Sequence, residues 1–143
     1  MRLFAVLAAT GFFIVTTALS PSAWADDPPI LQGQWRTEQS IVSYDNKGKP
    51  HFFDKVSISN IDVQNGRRFS GIEYQGASGN KNAVGGDRFI GVISADNTSL
   101  YMVTGTGFID CHIMSKDHLD CVYRNQTAKQ SASAVMTWRR ASQ

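Results

Sequence analysis

The sequence predicts an all-β domain of eight antiparallel strands that run up and down and close into a barrel, with one cross-strand disulfide. Three observations predict it. No segment holds a helical period; short alternating runs rich in Val, Ile, Thr, Phe and Tyr recur instead, divided by Gly, Asn and Asp. Eight such runs follow one another with mostly short connections. Cys111 and Cys121, the two cysteines of the chain, lie symmetrically about a turn. A meander of this length has two exposed edges, and closure removes them. A two-sheet sandwich is the competing architecture.

The first segment is not part of the barrel. Arg2 is followed by an uncharged apolar run from Leu3 to Leu19, then by "SPSAWA", with Ala23 and Ala25 in A-x-A spacing. This is the build of a secretory signal peptide. As a membrane anchor, a run of about 17 residues is at the short limit for about 30 Å of hydrocarbon. It also ends at Pro21 with no basic flank. We expect a signal peptide over 1–25, an N-terminal extension over 26–32 and the barrel over 33–143. The chain would then be a bacterial periplasmic or secreted protein with no membrane span after cleavage.

The strands follow in order. "GQWRTEQSIVSY" (33–44) is the first and "DNKGKP" (45–50) its turn. "FFDKVSISNIDVQ" (52–64) is the second, and its apolar phase changes between Ile58 and Ile61, which predicts a bulge near Asn60. "NG" (65–66) is a two-residue hairpin signal. "RRFSGIEYQ" (67–75) is the third strand, "GASGNKNAVGG" (76–86) a long loop, "DRFIGVIS" (87–94) the fourth and "ADNT" (95–98) its turn. "SLYMVT" (99–104) is the fifth, closed by "GTG". "FIDCHIM" (108–114), "HLDCVYRN" (118–125) and "SASAVMTWRR" (131–140) complete the set.

"CHIMSKDHLDC" (111–121) raises the question of metal against clasp. A hairpin centred on Lys116 sets Cys111 opposite Cys121, Ile113 opposite Leu119 and Ile109 opposite Tyr123. Opposed residues point to one side, and sides alternate along a strand. One face then holds those six residues. The other holds Asp110, His112, Met114, His118, Asp120, Val122 and Arg124. Cys111 and His112 point in opposite directions, so they cannot share the tetrahedral shell of a zinc ion. Opposed cysteines in an exported chain form a disulfide. His112, His118 and Asp120 share the outer face, which reads as solvated and not as a metal site. His112→Ala is therefore expected to be nearly silent.

The ends of the barrel carry a resemblance. "GQW" (Gly33, Trp35) opens the first strand and "WRR" (Trp138, Arg139, Arg140) ends the last. This resembles the calycin pattern of lipocalins and avidins. In those families a Gly-x-Trp closes the barrel floor and a basic residue near the last strand packs over that Trp. The resemblance implies barrel closure by Gly33, Trp35 and either Arg139 or Arg140. "GIEYQGASGN" (71–80) is similar to the Gly-x-Tyr strand and polar loop of avidins. The resemblance implies a fold and no particular ligand.

Function is less legible. Lys+Arg 14 against Asp+Glu 12 gives a net charge of +2 without a basic stripe, so no nucleic-acid partner is expected. The Gly-rich loop 76–86 leads into a strand and lacks a phosphate-loop pattern, which argues against a nucleotide. It is either a plain connection or a lid at the barrel mouth. No cofactor, no metal and no catalytic residue is expected. Aromatic residues could line a lumen with polar tips. The candidate ligand-binding residues are Trp35, Glu73, Tyr74, Tyr101, Tyr123 and Trp138. Glu73 has two possible phases. With Phe69 and Gly71 inward it is a buried carboxylate; with Ile72 and Tyr74 inward it is solvated. We adopt the second. The small residues Ala132 and Ala134 fit either a hollow or a filled interior. The leading expectation is a binding protein, not an enzyme, for a small and partly apolar ligand. The alternatives are a protein-binding module, such as an inhibitor of a secreted hydrolase, and a structural envelope or stress protein.

Overall fold

The computed structural model describes residues 27–75, 86–126 and 131–141. The expected signal peptide and its cleavage point lie outside the described residues, as does nearly all of the Gly-rich loop 76–86. Eight strands form one closed antiparallel barrel in chain order. They are β1 (Gly33–Tyr44), β2 (Pro50–Asn65), β3 (Arg68–Gln75), β4 (Asp87–Ile93), β5 (Ser99–Thr104), β6 (Phe108–Ser115), β7 (His118–Gln126) and β8 (Ser131–Arg140). β1 pairs with β2 from Gly33↔Ile61 to Tyr44↔Pro50, and with β8 from Trp35↔Arg140 to Tyr44↔Ser131. No edge is left unpaired, which is the physical gain of closure.

Period-two burial runs through the strands. Along β1, Trp35, Thr37 and Gln39 are buried while Arg36, Glu38 and Ser40 are exposed. β2 departs from the expected bulge position. Its register shifts between Ile61 and Val63, two residues beyond Asn60. The apparent change of phase at Ile58 has another cause: Ser57 and Ser59 occupy the inner positions, fully buried, and Ile58 takes the other side. The corner after β2 also falls one residue late. Asn65 still pairs with Arg68, and Gly66, at φ 58°, makes the left-handed step that a glycine accommodates without strain.

The core is concentrated at one end. Trp35, Trp138, Phe89 and Phe69 form a chain of ring contacts at 6.5, 5.9 and 6.5 Å between centroids. Offset and edge-on packing of this kind suits the aromatic quadrupole. Gly71 and Gly91 make room for it: each lies across a strand pair from a phenylalanine, and a Cβ at either would strike the ring of Phe89 or Phe69.

Residues 27–32 run beneath this end and plug it. Leu31 is fully buried, and its carbonyl accepts the Trp35 indole N–H at 2.8 Å. Gln64 accepts the Leu31 N–H at 2.7 Å and donates to the Pro29 carbonyl at 2.9 Å. Arg140 locks the plug. Its guanidinium donates to the carbonyls of Gln32, Ile30 and Lys116 and to Asp117 Oδ1, at 2.9, 2.9, 3.1 and 2.9 Å. The same group lies 4.5 Å from the centroid of the Trp35 ring. Gly33 sits beside it at φ 123°, where a Cβ would come within 3.2 Å of Arg140 Nη1.

The cation that closes the floor is therefore Arg140. Arg139 points to solvent because it takes the opposite phase of β8. Arg140→Ala is expected to cost about 1–2 kcal/mol through lost charged hydrogen bonds and cation–π contact, discounted for partial exposure. Arg139→Ala should leave the urea midpoint unchanged. Equal effects would show that the floor contacts carry no stability.

The turns are closed by aspartates. Asp96 Oδ1 accepts the Ser94 hydroxyl at 2.5 Å, the Thr98 N–H at 3.1 Å and the Thr98 hydroxyl at 2.9 Å. These bonds favour the anion and pull its pKa down to about 2. Asp45 is likewise lowered, by the Lys49 N–H first, then by His51 and the Lys47 N–H. A depressed carboxylate stabilises the fold above its unfolded pKa and loses that contribution as pH falls through the folded value. Amide exchange at the β4–β5 turn should therefore accelerate as pH drops from about 4 to 2, after correction for intrinsic exchange rates. Asp96→Asn should remove that dependence.

Candidate functional site

With one end plugged, the described residues leave the lumen open at the other. The open end is formed by the C-terminal half of β1, the start of β2, the end of β3, the β5–β6 turn and the β7–β8 end of the sheet. A pocket of about 420 Å³ lies there. That is room for about fourteen waters at about 30 Å³ each. It also falls in the range of small-ligand sites, about 300–1,000 Å³.

The lining mixes apolar and polar side chains, Ile41 and Phe53 lying on the side of β1 and β2 and Asn125 on that of β7. β6, β7 and β8 supply Ile109, Tyr123, Ala132 and Met136, while β1, β2 and β3 supply Gln39, Lys55 and Glu73. The polar side chains form a network. Gln39 Nε2 donates to Ser57 Oγ and to Glu73 Oε1, both at 3.0 Å, and Lys55 Nζ lies 3.5 Å from the same Glu73 oxygen. Deeper in the barrel, Thr37 and Ser59 pair their hydroxyls at 3.4 Å. Buried polar side chains must find partners, and these find one another. At the rim, Phe53 lines the pocket and Asp87 stands across the strand pair from Glu73. Tyr123 lays its ring against the Gly107 backbone and bonds Thr106 Oγ1 at 3.0 Å. Among the described residues one pocket-lining atom is buried without a partner, Asn125 Oδ1.

The sequence-derived candidates divide. Glu73 and Tyr123 line the pocket. Glu73 does so in the phase we did not adopt: Phe69 and Gly71 are buried on its side of β3, and a lysine and a glutamine supply the partners that make an inward carboxylate tolerable. Tyr74 takes the opposite phase beside Ile58, on the outer surface. Tyr101 is also outward, half exposed, across from Asp110. Trp35 and Trp138 point inward but belong to the floor, fully buried and outside the pocket lining. Gln39, Lys55 and Asn125 were missed. Their signal was present for Gln39, since period two from Trp35 reaches 37, 39, 41 and 43. It was obscured because polar residues in those positions read as exterior.

The Cys111–Cys121 disulfide is formed, with the two Cα atoms 4.0 Å apart. The hairpin pairs as the centre at Lys116 requires, from Phe108↔Arg124 to Ile113↔Leu119, before a shift at Met114. Ile109, Cys111, Leu119 and Cys121 are buried, whereas His112 is exposed. His118 bonds Asp120 of its own strand at 2.9 Å, and Arg124 pairs with Asp110. His112→Ala should shift the melting temperature by no more than a typical surface substitution, within about 0.5 kcal/mol. A larger loss would mean that this face is not simply solvated.

Fold and pocket together define a closed eight-stranded barrel with one plugged end and, among the described residues, a cavity of mixed lining toward the other. No family model matches the chain, and no curated protein matches it. A solved structure, the S-type phycobiliprotein lyase CPES from Guillardia theta, is similar at a TM-score of 0.39 and 13% identity, over 78% of this chain and 89% of that one. A likeness of this degree bears on neither ligand nor activity.

Proposed function

We propose that the chain is an exported carrier or receptor for a small, partly apolar molecule held at the open end of the barrel. The observation that supports this is the pocket of about 420 Å³ above a floor sealed by Trp35, Leu31 and Arg140. Apolar side chains with a few convergent polar groups are the usual make-up of such a site. We place the chain among binding proteins and not enzymes. Among the described residues no histidine lines the pocket, and Glu73 is engaged by Gln39 and Lys55. Native mass spectrometry of the protein purified after export tests the reading. A bound mass that is lost on denaturation supports it. A bare mass, with no thermal stabilisation by any of a panel of small amphiphiles, overturns it. The denatured mass tests export directly, because cleavage after Ala25 would leave residues 26–143.

A protein-binding role is the second reading, and one observation favours it. The outer face of β4 to β8 carries Ile90, Val92, Val103, Phe108, Val122 and Val135, each more than two-fifths exposed. Adjacent strands bring them into neighbouring rows. Exposed apolar patches of this kind mark interaction surfaces.

A further inference from the structure

We propose that the ligand is a protonated amine on a short apolar or aromatic body. This rests on the ligand-binding reading above and adds the chemistry of the head group.

The inference comes from the balance of donors and acceptors in the pocket. Gln39 donates from Nε2 to Ser57 and to Glu73 Oε1. An ionised carboxylate can only accept, so the amide nitrogen must face it. Both amide hydrogens are thereby spent, and Oε1, an acceptor, is what Gln39 has left. Glu73 receives Gln39 and Lys55 on the same oxygen. Its second oxygen has no partner among the described residues. Asn125 Oδ1, on the facing wall, is another acceptor without a partner. The Lys55 ammonium, the one cation lining the pocket among the described residues, is already paired with Glu73. Asp87 then adds a second carboxylate at the rim. Among the described residues the pocket thus holds three acceptors with room for a donor, Gln39 Oε1, the second Glu73 oxygen and Asn125 Oδ1, and two carboxylates against one ammonium.

A ligand that completes this set must bring N–H donors and positive charge. A carboxylate would meet two like charges, Glu73 and Asp87, against the single ammonium of Lys55. An alcohol would satisfy one acceptor and leave the excess charge. A primary ammonium offers three donors and can sit between Glu73 and Gln39. Its body would then lie along Ile109, Tyr123 and Met136, with Phe53 at the rim. Charge-assisted bonds to Glu73 would be among the stronger contacts available in such a site.

Three probes with one tail and different heads test this: octylamine, octan-1-ol and octanoate, titrated at pH 7 by calorimetry. Octylamine is expected to bind at least about tenfold more tightly than either of the others. Glu73→Gln should abolish that preference, bringing octylamine to the affinity of octan-1-ol. Asp87→Asn, at the exposed rim, should reduce the preference without disturbing the fold, and it decides the matter if Glu73→Gln fails to fold. Tighter binding of octanoate would overturn the proposal in favour of recognition through Lys55. Equal binding of all three would overturn it while leaving the ligand-binding reading intact. Binding of none would overturn both.

Discussion

Trp35→Ala is expected to destabilise the domain by about 3–5 kcal/mol, the range for removing a buried large aromatic side chain. Trp35 is fully buried. Its ring packs on Trp138 and under Arg140, and its indole N–H holds the Leu31 carbonyl of the plug. Truncation would open a cavity, leave that carbonyl without its donor and strip the Arg140 guanidinium of its aromatic face. The plug would keep its bonds to Gln64 and Arg140 but lose the one to Trp35, so it should loosen as well. Total stabilities are commonly about 5–15 kcal/mol. The variant should therefore unfold at far lower urea and show rapid amide exchange over residues 27–32. A loss below about 1 kcal/mol, the level of a typical point mutation, would mean that the floor does not hold the barrel shut.

Removing the disulfide should have the next largest effect. Cys111→Ala with Cys121→Ala is expected to cost about 2–3 kcal/mol. The bridge closes a short loop, with a sequence separation of 10, so its entropic contribution lies at the low end. Both cysteines are buried on the inner face, and their loss also leaves small voids. Reduction of the wild-type protein should lower its urea midpoint by a similar amount. A wild-type protein shown by mass to be reduced, yet with an unchanged midpoint, would sink this account. The bridge lies between Ile109 and Tyr123 in the pocket wall and Leu119 below it, so the double variant should also weaken any ligand that octylamine identifies.

The parts of the fold legible in the sequence were those set by local periodicity. Strand number, order and approximate limits followed from alternating apolar runs and their Gly, Asn and Asp breaks. The hairpin of β6 and β7 was legible in register, because two cysteines, two apolar pairs and a charged opposite face all agreed on one turn centre. The pocket was not. A barrel interior is shared by eight strands, and its polar members are satisfied by partners far away in sequence. Gln39 finds Ser57 and Glu73, and Lys55 finds Glu73. Read one strand at a time, each of these is a polar residue with no reason to be inside, and the sequence of β3 alone therefore favours the phase that the barrel does not adopt. Tyr74 and Tyr101 were chosen as pocket residues on composition, and alternation sends both outward.

The sequence by itself determined that this chain forms eight strands, which residues of one hairpin face inward, and that Cys111 and Cys121 meet. Those properties depend on neighbours along the chain or across a single turn. Only the tertiary structure decided that Arg140 and not Arg139 caps Trp35, that residues 27–32 plug one end, and that Glu73 turns into an acceptor-rich pocket at the other. Closure brings β8 beside β1 and sets all the inner faces around one axis. Burial of a charge depends on what lies across that axis, which no local stretch of sequence contains.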